Sequence, residues 1–346
     1  MGSIRLSKYL LAVLLLLLAC SDSKETRKQR FLLKGNELLL KQNYALAIKN
    51  YNEALALDSC YADALNNLGT VYFKQNQYAE ALQYYQSALT CRENFINARF
   101  NEANTYFELG RLDEAMRDVI QLKQLKPDTV PVHFLEGLIY TRKREFASAL
   151  TSFNHALTID TGNIELLINL GTVHYYTRAY REAREILDHA RKLNPDEPNI
   201  YNTLAMVNSA EGNLKEAYSM INQALSLRPG DAYFLNNRGY FYLLEGDLTN
   251  AEKDINASIA TDPYNGWAYR NKGIFYLMNE NTESALRMFN QAYEMDPFIE
   301  QINYYRAVTY WKAGDRIKSC EAWKQSQNKL ENLNQVIIRQ DFSMCK

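Results

Sequence analysis

Small and bulky apolar residues recur along this chain in blocks that repeat every 34 residues, without insertion or deletion, from Lys28 to Leu333. In all nine units the eighth place is Gly or Ala, as in Gly35, Gly69, Ala103 and Ala307, and the twentieth is Ala, as in Ala47, Ala81 and Ala115, or once Ser319. Bulky apolar residues hold the twenty-fourth place, from Tyr51 and Tyr85 through Val119 and Phe153 to Phe289 and Trp323. A third small column runs from Ala54 to Ser326 at the twenty-seventh place and is interrupted only by Leu122. The twentieth, twenty-fourth and twenty-seventh places fall on one face at helical spacing. Small side chains at a crossing let two helices approach to about 8 Å, and large ones then fill the space around it. The pattern therefore predicts two packed helices per unit.

Helix breakers fall between these elements. Gly110, Gly212, Gly246 and Gly314 share the fifteenth place, where a turn separates a first helix from a second. All seven prolines stand at unit junctions: five at the thirty-second place, and Pro131 and Pro198 in the first turn of the next helix, where a missing N–H costs little. The expected fold is all-α, with nine helix hairpins over 28–333 and a tail or capping helix over 334–346. A chain of 346 residues would ordinarily suggest two domains, but repeats bury surface only against their neighbours, so the array is compatible with one continuous domain.

Taken together, the small eighth, twentieth and twenty-seventh places, the aromatic eleventh and twenty-fourth, and the proline at the thirty-second resemble the tetratricopeptide repeat family. The resemblance covers 28–333. It implies a right-handed superhelical solenoid with a concave inner groove, lined by the second, fifth, sixth, ninth, twelfth and thirteenth places of each first helix. The ninth unit departs from the pattern, with Glu331 in place of proline and Ser319 and Ser326 in place of alanine, which suits a terminal cap.

The amino terminus differs from everything after it. Arg5 and Lys8 precede the apolar run Leu10 to Leu18, too short to span a bilayer and followed by the polar SDSKETR segment, so residues 1–19 read as a signal peptide. Its ending, Leu17-Leu18-Ala19-Cys20, resembles the bacterial lipobox, which implies that Cys20 becomes the lipid-bearing first residue of the mature chain; the other reading is an ordinary signal peptide with a chance cysteine. Two or more acyl chains anchor firmly where one does not. In that family of anchors Ser21, rather than aspartate, favours the outer membrane of a Gram-negative envelope, on either face. Residues 20–27 are expected to form a polar tether at most about 25–28 Å long, holding the first repeat near the lipid surface.

No catalytic constellation is found. The chain has no Gly-rich phosphate loop, nucleophile elbow or zinc-protease motif. His155 and His189 share the twenty-sixth place of adjacent repeats but lack a third ligand. No cofactor or metal is expected, and the chain reads as a non-enzyme. A formal net charge of −1 without a basic cluster argues against nucleic acid as a partner. Cys60, Cys91, Cys320 and Cys345 lack metal or disulfide-framework spacing. Stacked helix axes 8–10 Å apart exceed the Cα separation of a disulfide, so Cys60 and Cys91 are expected to be free thiols, with a bond between them the alternative.

Within the groove, the sixth place carries Asn67, Asn101, Asn169, Asn237 and Asn271. This resembles the asparagine ladder by which some members of the family hold extended peptides, since an amide both donates to and accepts from a peptide backbone. Asparagine there can equally satisfy local backbone groups. Tyr233, Tyr240, Trp267, Tyr304, Tyr305 and Trp311 concentrate rings toward the carboxyl end, as binding surfaces require, unless the tail covers them. The family's two-carboxylate clamp is not matched: no fifth place carries lysine, and neither Asn36 nor Asn104, the only ninth-place asparagines, has the basic partners. In the first helix Leu32, Leu33, Leu39 and Leu40 occupy groove-facing places beside the anchor and form a candidate contact patch. The expected function is a lipid-anchored adaptor of the bacterial envelope that binds a protein or extended peptide. The alternative is a structural subunit or assembly factor of a permanent outer-membrane complex, using the convex surface and the apolar first helix.

Overall fold

The computed structural model describes residues 23–125, 129–329, 331, 333 and 336–345. The expected signal peptide over 1–19 and Cys20 lie outside the described residues. Among those described there are eighteen α-helices and one short 3-10 turn, Ser343–Cys345, and no strand. The helices pair two by two in step with the 34-residue period: Ala62–Lys74 with Tyr78–Cys91, for instance, or Gly266–Met278 with Thr282–Met295.

The small columns work as crossing points. Ala47, Ala81, Ala115, Ala149, Ala183, Ala217, Ala251 and Ala285 at the twentieth place are fully buried, as are Tyr51, Phe153 and Phe289 at the twenty-fourth. The eighth-place glycine lies directly under the twenty-fourth-place side chain of its own repeat. A Cβ on Gly69 would come within 2.5 Å of the Tyr85 ring, and one on Gly273 within 2.6 Å of Phe289. Glycine is required there because the ring occupies the volume a methyl would need.

Every fifteenth place is left-handed. Positive φ occurs at Gln42, Asn76, Arg144, Arg178 and Glu280 as well as at Gly110, Gly212, Gly246 and Gly314. The turn is thus the same in all nine repeats, although glycine marks it in only four.

The chain divides into two compact units, one ending at Thr161 and the other spanning Gly162–Lys346, which correspond to repeats 1 to 4 and 5 to 9. In the first unit, the expected polar tether over 20–27 is corrected from Lys24 onward. The first helix starts at Lys24, capped by the Ser23 hydroxyl, which accepts from the Thr26 amide at 3.1 Å. Those residues rise about 1.5 Å each instead of the 3.3 Å or more of an extended tether.

In the second unit the first helix of repeat 9 is shortened to Ile302–Lys312, behind Gln301 at φ 62°. Glu331, the residue that replaces proline, caps it: its carboxylate accepts from the backbone amides of Asn303 and Tyr304 at 3.0 and 2.9 Å. A carboxylate at a helix amino terminus satisfies orphan N–H groups and complements the helix dipole.

The free-thiol expectation is corrected as well. Cys60 and Cys91 form a disulfide with Cα atoms 5.4 Å apart, and Cys320 pairs with Cys345 at 5.0 Å. The axis-spacing argument failed because the first bond does not join equivalent helical positions. Cys60 lies in the turn beyond the helix Tyr44–Leu57, and Cys91 is the last residue of Tyr78–Cys91. The turn carries Cys60 across the gap between the two helix ends.

Candidate functional site

The first helices of repeats 5 to 8, Ile164–Tyr176, Pro198–Ala210, Ala232–Glu245 and Gly266–Met278, together with the turn into repeat 9, line a concave cavity of about 920 Å³ in the second unit. Its wall carries Asn169, Asn237, Asn271, Tyr233, Tyr240 and Trp267, six of the residues singled out from the sequence. Asn67 and Asn101 belong to repeats 2 and 3 in the first unit and are not among the residues that line this cavity.

The asparagines are already engaged with one another. Asn101 donates from Nδ2 to Oδ1 of Asn66 at 2.9 Å, Asn237 to Asn202 at 2.8 Å and Asn271 to Asn236 at 2.7 Å. In each case a sixth-place amide reaches the fifth place of the preceding repeat. Asn67 reaches instead to Asn36, at 2.7 Å, which also accepts from the Tyr51 hydroxyl. Asn169 donates to its own helix, to the Glu165 carbonyl at 2.9 Å. The amides therefore use donors to tie neighbouring repeats together, and Asn271 is buried in doing so. A second amide row at the fifth place, Asn66, Asn202 and Asn236, is the part sequence reading missed. The signal was there in the column Leu32, Asn66, Phe100, Phe134, Ile168, Asn202, Asn236, Arg270 and Tyr304.

Aromatic rings and charges complete the wall. Tyr175 and Tyr176 join Tyr240 and Trp267, while Tyr233 is 54% exposed at the cavity. Burial pushes the phenols of Tyr175 and Tyr240 up from their ordinary value, and the charge of Glu300 adds to both shifts. Both rings thus stay neutral and present a hydroxyl. Arg228 is matched internally, by Asp231 at 3.3 Å and Glu197 at 3.9 Å. Arg270 is only 4% exposed and lies over the rings of Tyr240 and Trp267, 4.7 and 5.4 Å from their centroids.

Three expected groove residues are corrected. Tyr304 is 3% exposed, and its hydroxyl donates to the Ile338 carbonyl and accepts from the Gln340 amide. Trp311 packs edge-on against Phe342, which stacks on Trp323 with centroids 4.7 Å apart. Tyr305, likewise buried, accepts from the Ile337 amide. The carboxyl tail, irregular over residues 336–342 and tied down by Cys320–Cys345, covers these rings. They close the last repeat and do not line the cavity.

At the opposite end of the chain, the four leucines divide. Leu32 and Leu39 pack on the core of the first hairpin, whereas Leu33 and Leu40 are 60% and 85% exposed. Among the described residues no helix is long and apolar enough to cross a membrane, and no group of three or more His, Cys, Asp and Glu is placed to hold a metal. His155 packs on His133, ring centroids 4.2 Å apart.

Tetratricopeptide repeat models match residues 35–76, 62–95, 96–129, 141–207 and 209–266. A tetratricopeptide repeat protein from Parabacteroides merdae is similar over 82% of this chain and 99% of its own, at 19% identity and a TM-score of 0.56. The pilF protein of Pseudomonas aeruginosa is similar over 63% of this chain and 100% of its own, at 19% identity and 0.55. A chain of the APC/C hetero-tetramer Cut9-Hcn1 is similar over 91% of this chain and 70% of its own, at 15% identity and 0.57. These likenesses are of fold. No curated protein sequence matches the chain. With the repeat models spread from residue 35 to residue 266 and the same hairpin continuing in step through repeat 9, the chain is a tetratricopeptide repeat protein.

Proposed function

We propose that this protein is a non-catalytic scaffold of the bacterial envelope, held to a membrane through lipid on Cys20, and that the cavity of repeats 5 to 8 receives an extended segment of a protein partner. The observation that carries the reading is the cavity wall itself: rows of amides and rings, from four successive first helices, facing one concave volume. Rings supply contact area at low entropy cost, and amides meet a backbone irrespective of its side chains.

Lipid anchoring and the outer membrane rest on the Leu17-Leu18-Ala19-Cys20 ending and on Ser21. The disulfides lend support of another kind, because Cys60–Cys91 and Cys320–Cys345 pair every cysteine after Cys20, and such bonds persist in oxidising compartments. Exposure of Leu33 and Leu40 favours a second contact, with a permanent complex, through the first helix.

The groove is tested with a photo-crosslinking residue in place of Tyr233 or Trp267, and, as a control, of Glu185, which lies exposed on the helix Tyr180–Leu193. Adducts with a discrete protein are expected in cells from the first two positions and not from Glu185. Adducts from Glu185 alone would transfer the interaction to the outer face. The anchor is tested by Cys20→Ala, which should abolish acylation and shift the protein from the membrane fraction to the soluble one; retention in the membrane would refute it.

A further inference from the structure

Arg270 differs in its partners from two arginines that are ion-paired between the helices of their own hairpins. Arg99 faces Asp118 at 3.2 Å, and Arg238 grips Asp254 with two hydrogen bonds of 2.6 and 3.0 Å. Arg270 is the more deeply buried residue, yet among the described residues no carboxylate pairs with it. Its Nε donates to Oδ1 of Asn271 at 3.0 Å, and Nη1 to the backbone carbonyl of Glu300 at 3.2 Å. Nη2 has no hydrogen-bond partner among the described residues. Asn271 is itself fixed by Asn236, so the guanidinium is held in place from behind. The rings of Tyr240 and Trp267 compensate part of the cost of burying the charge, but contact with a ring does not replace a counter-ion.

The acidic side chains that share the cavity wall are Glu165, Glu197, Asp231 and Glu300. Glu197 and Asp231 are matched to Arg228. Glu165 stands at the repeat 5 end of the wall, and Glu300 offers Arg270 its carbonyl. A rigid, buried, cavity-lining guanidinium with an unused edge is a ready receptor for an oxyanion.

We propose that Arg270 is the carboxylate anchor of the cavity: one carboxylate of the partner segment, from an Asp or Glu side chain or from a chain terminus, lies on its free edge beside Tyr240 and Trp267. This inference rests on the reading of the cavity as a peptide groove, and it adds a charge requirement to a surface otherwise suited to backbone. It is a one-cation site framed by rings, unlike the two-carboxylate clamp whose basic partners this chain lacks.

The test selects random linear peptides, about a dozen residues long and displayed on phage, against the full chain purified with both disulfides intact. Recovered peptides are then synthesised with each acid replaced by its amide and with free or amidated carboxyl ends. One replacement is expected to weaken binding about tenfold or more, as for loss of a charge-assisted hydrogen bond. Arg270→Gln should weaken the acidic peptide by a similar factor and leave its amide analogue unchanged, so that the two changes are not additive. Sensitivity to terminal amidation alone identifies a chain terminus as the source, and sensitivity to a side-chain replacement identifies Asp or Glu. Because the decisive change is in the peptide, a folding defect in the variant cannot imitate the result. Peptides that lose affinity with Trp267→Ala yet ignore both acid replacement and Arg270→Gln would overturn the anchor and leave the groove standing. Recovery of no peptide by the unaltered chain would overturn both.

Discussion

Asp118 carries a clear pH response. Burial, and then the charge of Glu102, push its carboxyl up from 3.8 to about 7, while Arg99 pulls the other way. A carboxyl whose folded-state pKa lies above its unfolded value holds a proton that the unfolded chain releases, so its contribution to stability is present below the unfolded value and is lost as pH rises from 3.8 to about 7. Asp118→Asn should therefore flatten the fall in stability across that range. The check is the difference in urea midpoint between about pH 5 and about pH 8 in both proteins; an equal difference in the two would remove Asp118 as its source. Residues in the groove show what a column reveals and conceals. Asn237 and Asn271 were legible as inward polar positions through the resemblance to the repeat family, which implies that the sixth place faces the groove. Their partners were not, because Asn202 and Asn236 lie 35 residues back and meet them only through the offset with which one repeat stacks on the next. Arg270 was passed over for a related reason. A single basic residue in a mixed column makes no periodic signal, and its significance comes from having no paired carboxylate among the described residues.

Helix pairs were almost wholly legible, since Gly or Ala at the eighth place and Ala or Ser at the twentieth are demanded by the approach of two backbones. The turn between them was half legible. Gly246 announces a left-handed residue, whereas Glu280 conceals the same conformation, at φ 60° against 81°. A non-glycine residue held left-handed costs roughly 1–2 kcal/mol, which the packing of two helices over-determines. The fifteenth places should thus respond with opposite signs. Glu280→Gly is expected to stabilise by up to about 1 kcal/mol, the strain relieved being partly offset by the greater freedom of glycine in the unfolded chain. Gly246→Ala should destabilise by about 1 kcal/mol, and through the backbone alone, because a methyl group there meets nothing within 4 Å. Urea midpoints of the two variants measure this. Destabilisation by both would mean that the Glu280 side chain contributes more than its backbone conformation costs. Glu331 illustrates a different limit. The sequence registers only a missing proline, whereas the folded chain uses the carboxylate to cap the helix that begins 29 residues earlier, at Ile302.

The regular pattern says nothing about the covalent ties, and these bear on the whole molecule. Helix-axis spacing was the wrong measure for Cys60 and Cys91, since the deciding distance is between a turn and a helix end. Cys320 and Cys345 could not be paired from the sequence because the course of the tail is set by where Phe342 finds Tyr304, Trp311 and Trp323. Stability in a repeat array is a sum of local terms, so each disulfide should act where it sits. Bonds closing loops of 31 and 25 residues are worth roughly 2–4 kcal/mol each, in a picture where the cross-link restrains the unfolded chain. Replacing Cys320 and Cys345 by serine should raise hydrogen exchange across the tail and the last hairpin, and leave repeats 1 and 2 unchanged. Replacing Cys60 and Cys91 should do the converse. The same bonds probe location without reference to the anchor. Protein extracted from cells under denaturing conditions, with rapid alkylation, should expose no thiol at Cys60, Cys91, Cys320 or Cys345 until it is reduced. Immediate alkylation of all four would place the chain in a reducing compartment and remove the support that the disulfides give to an envelope protein.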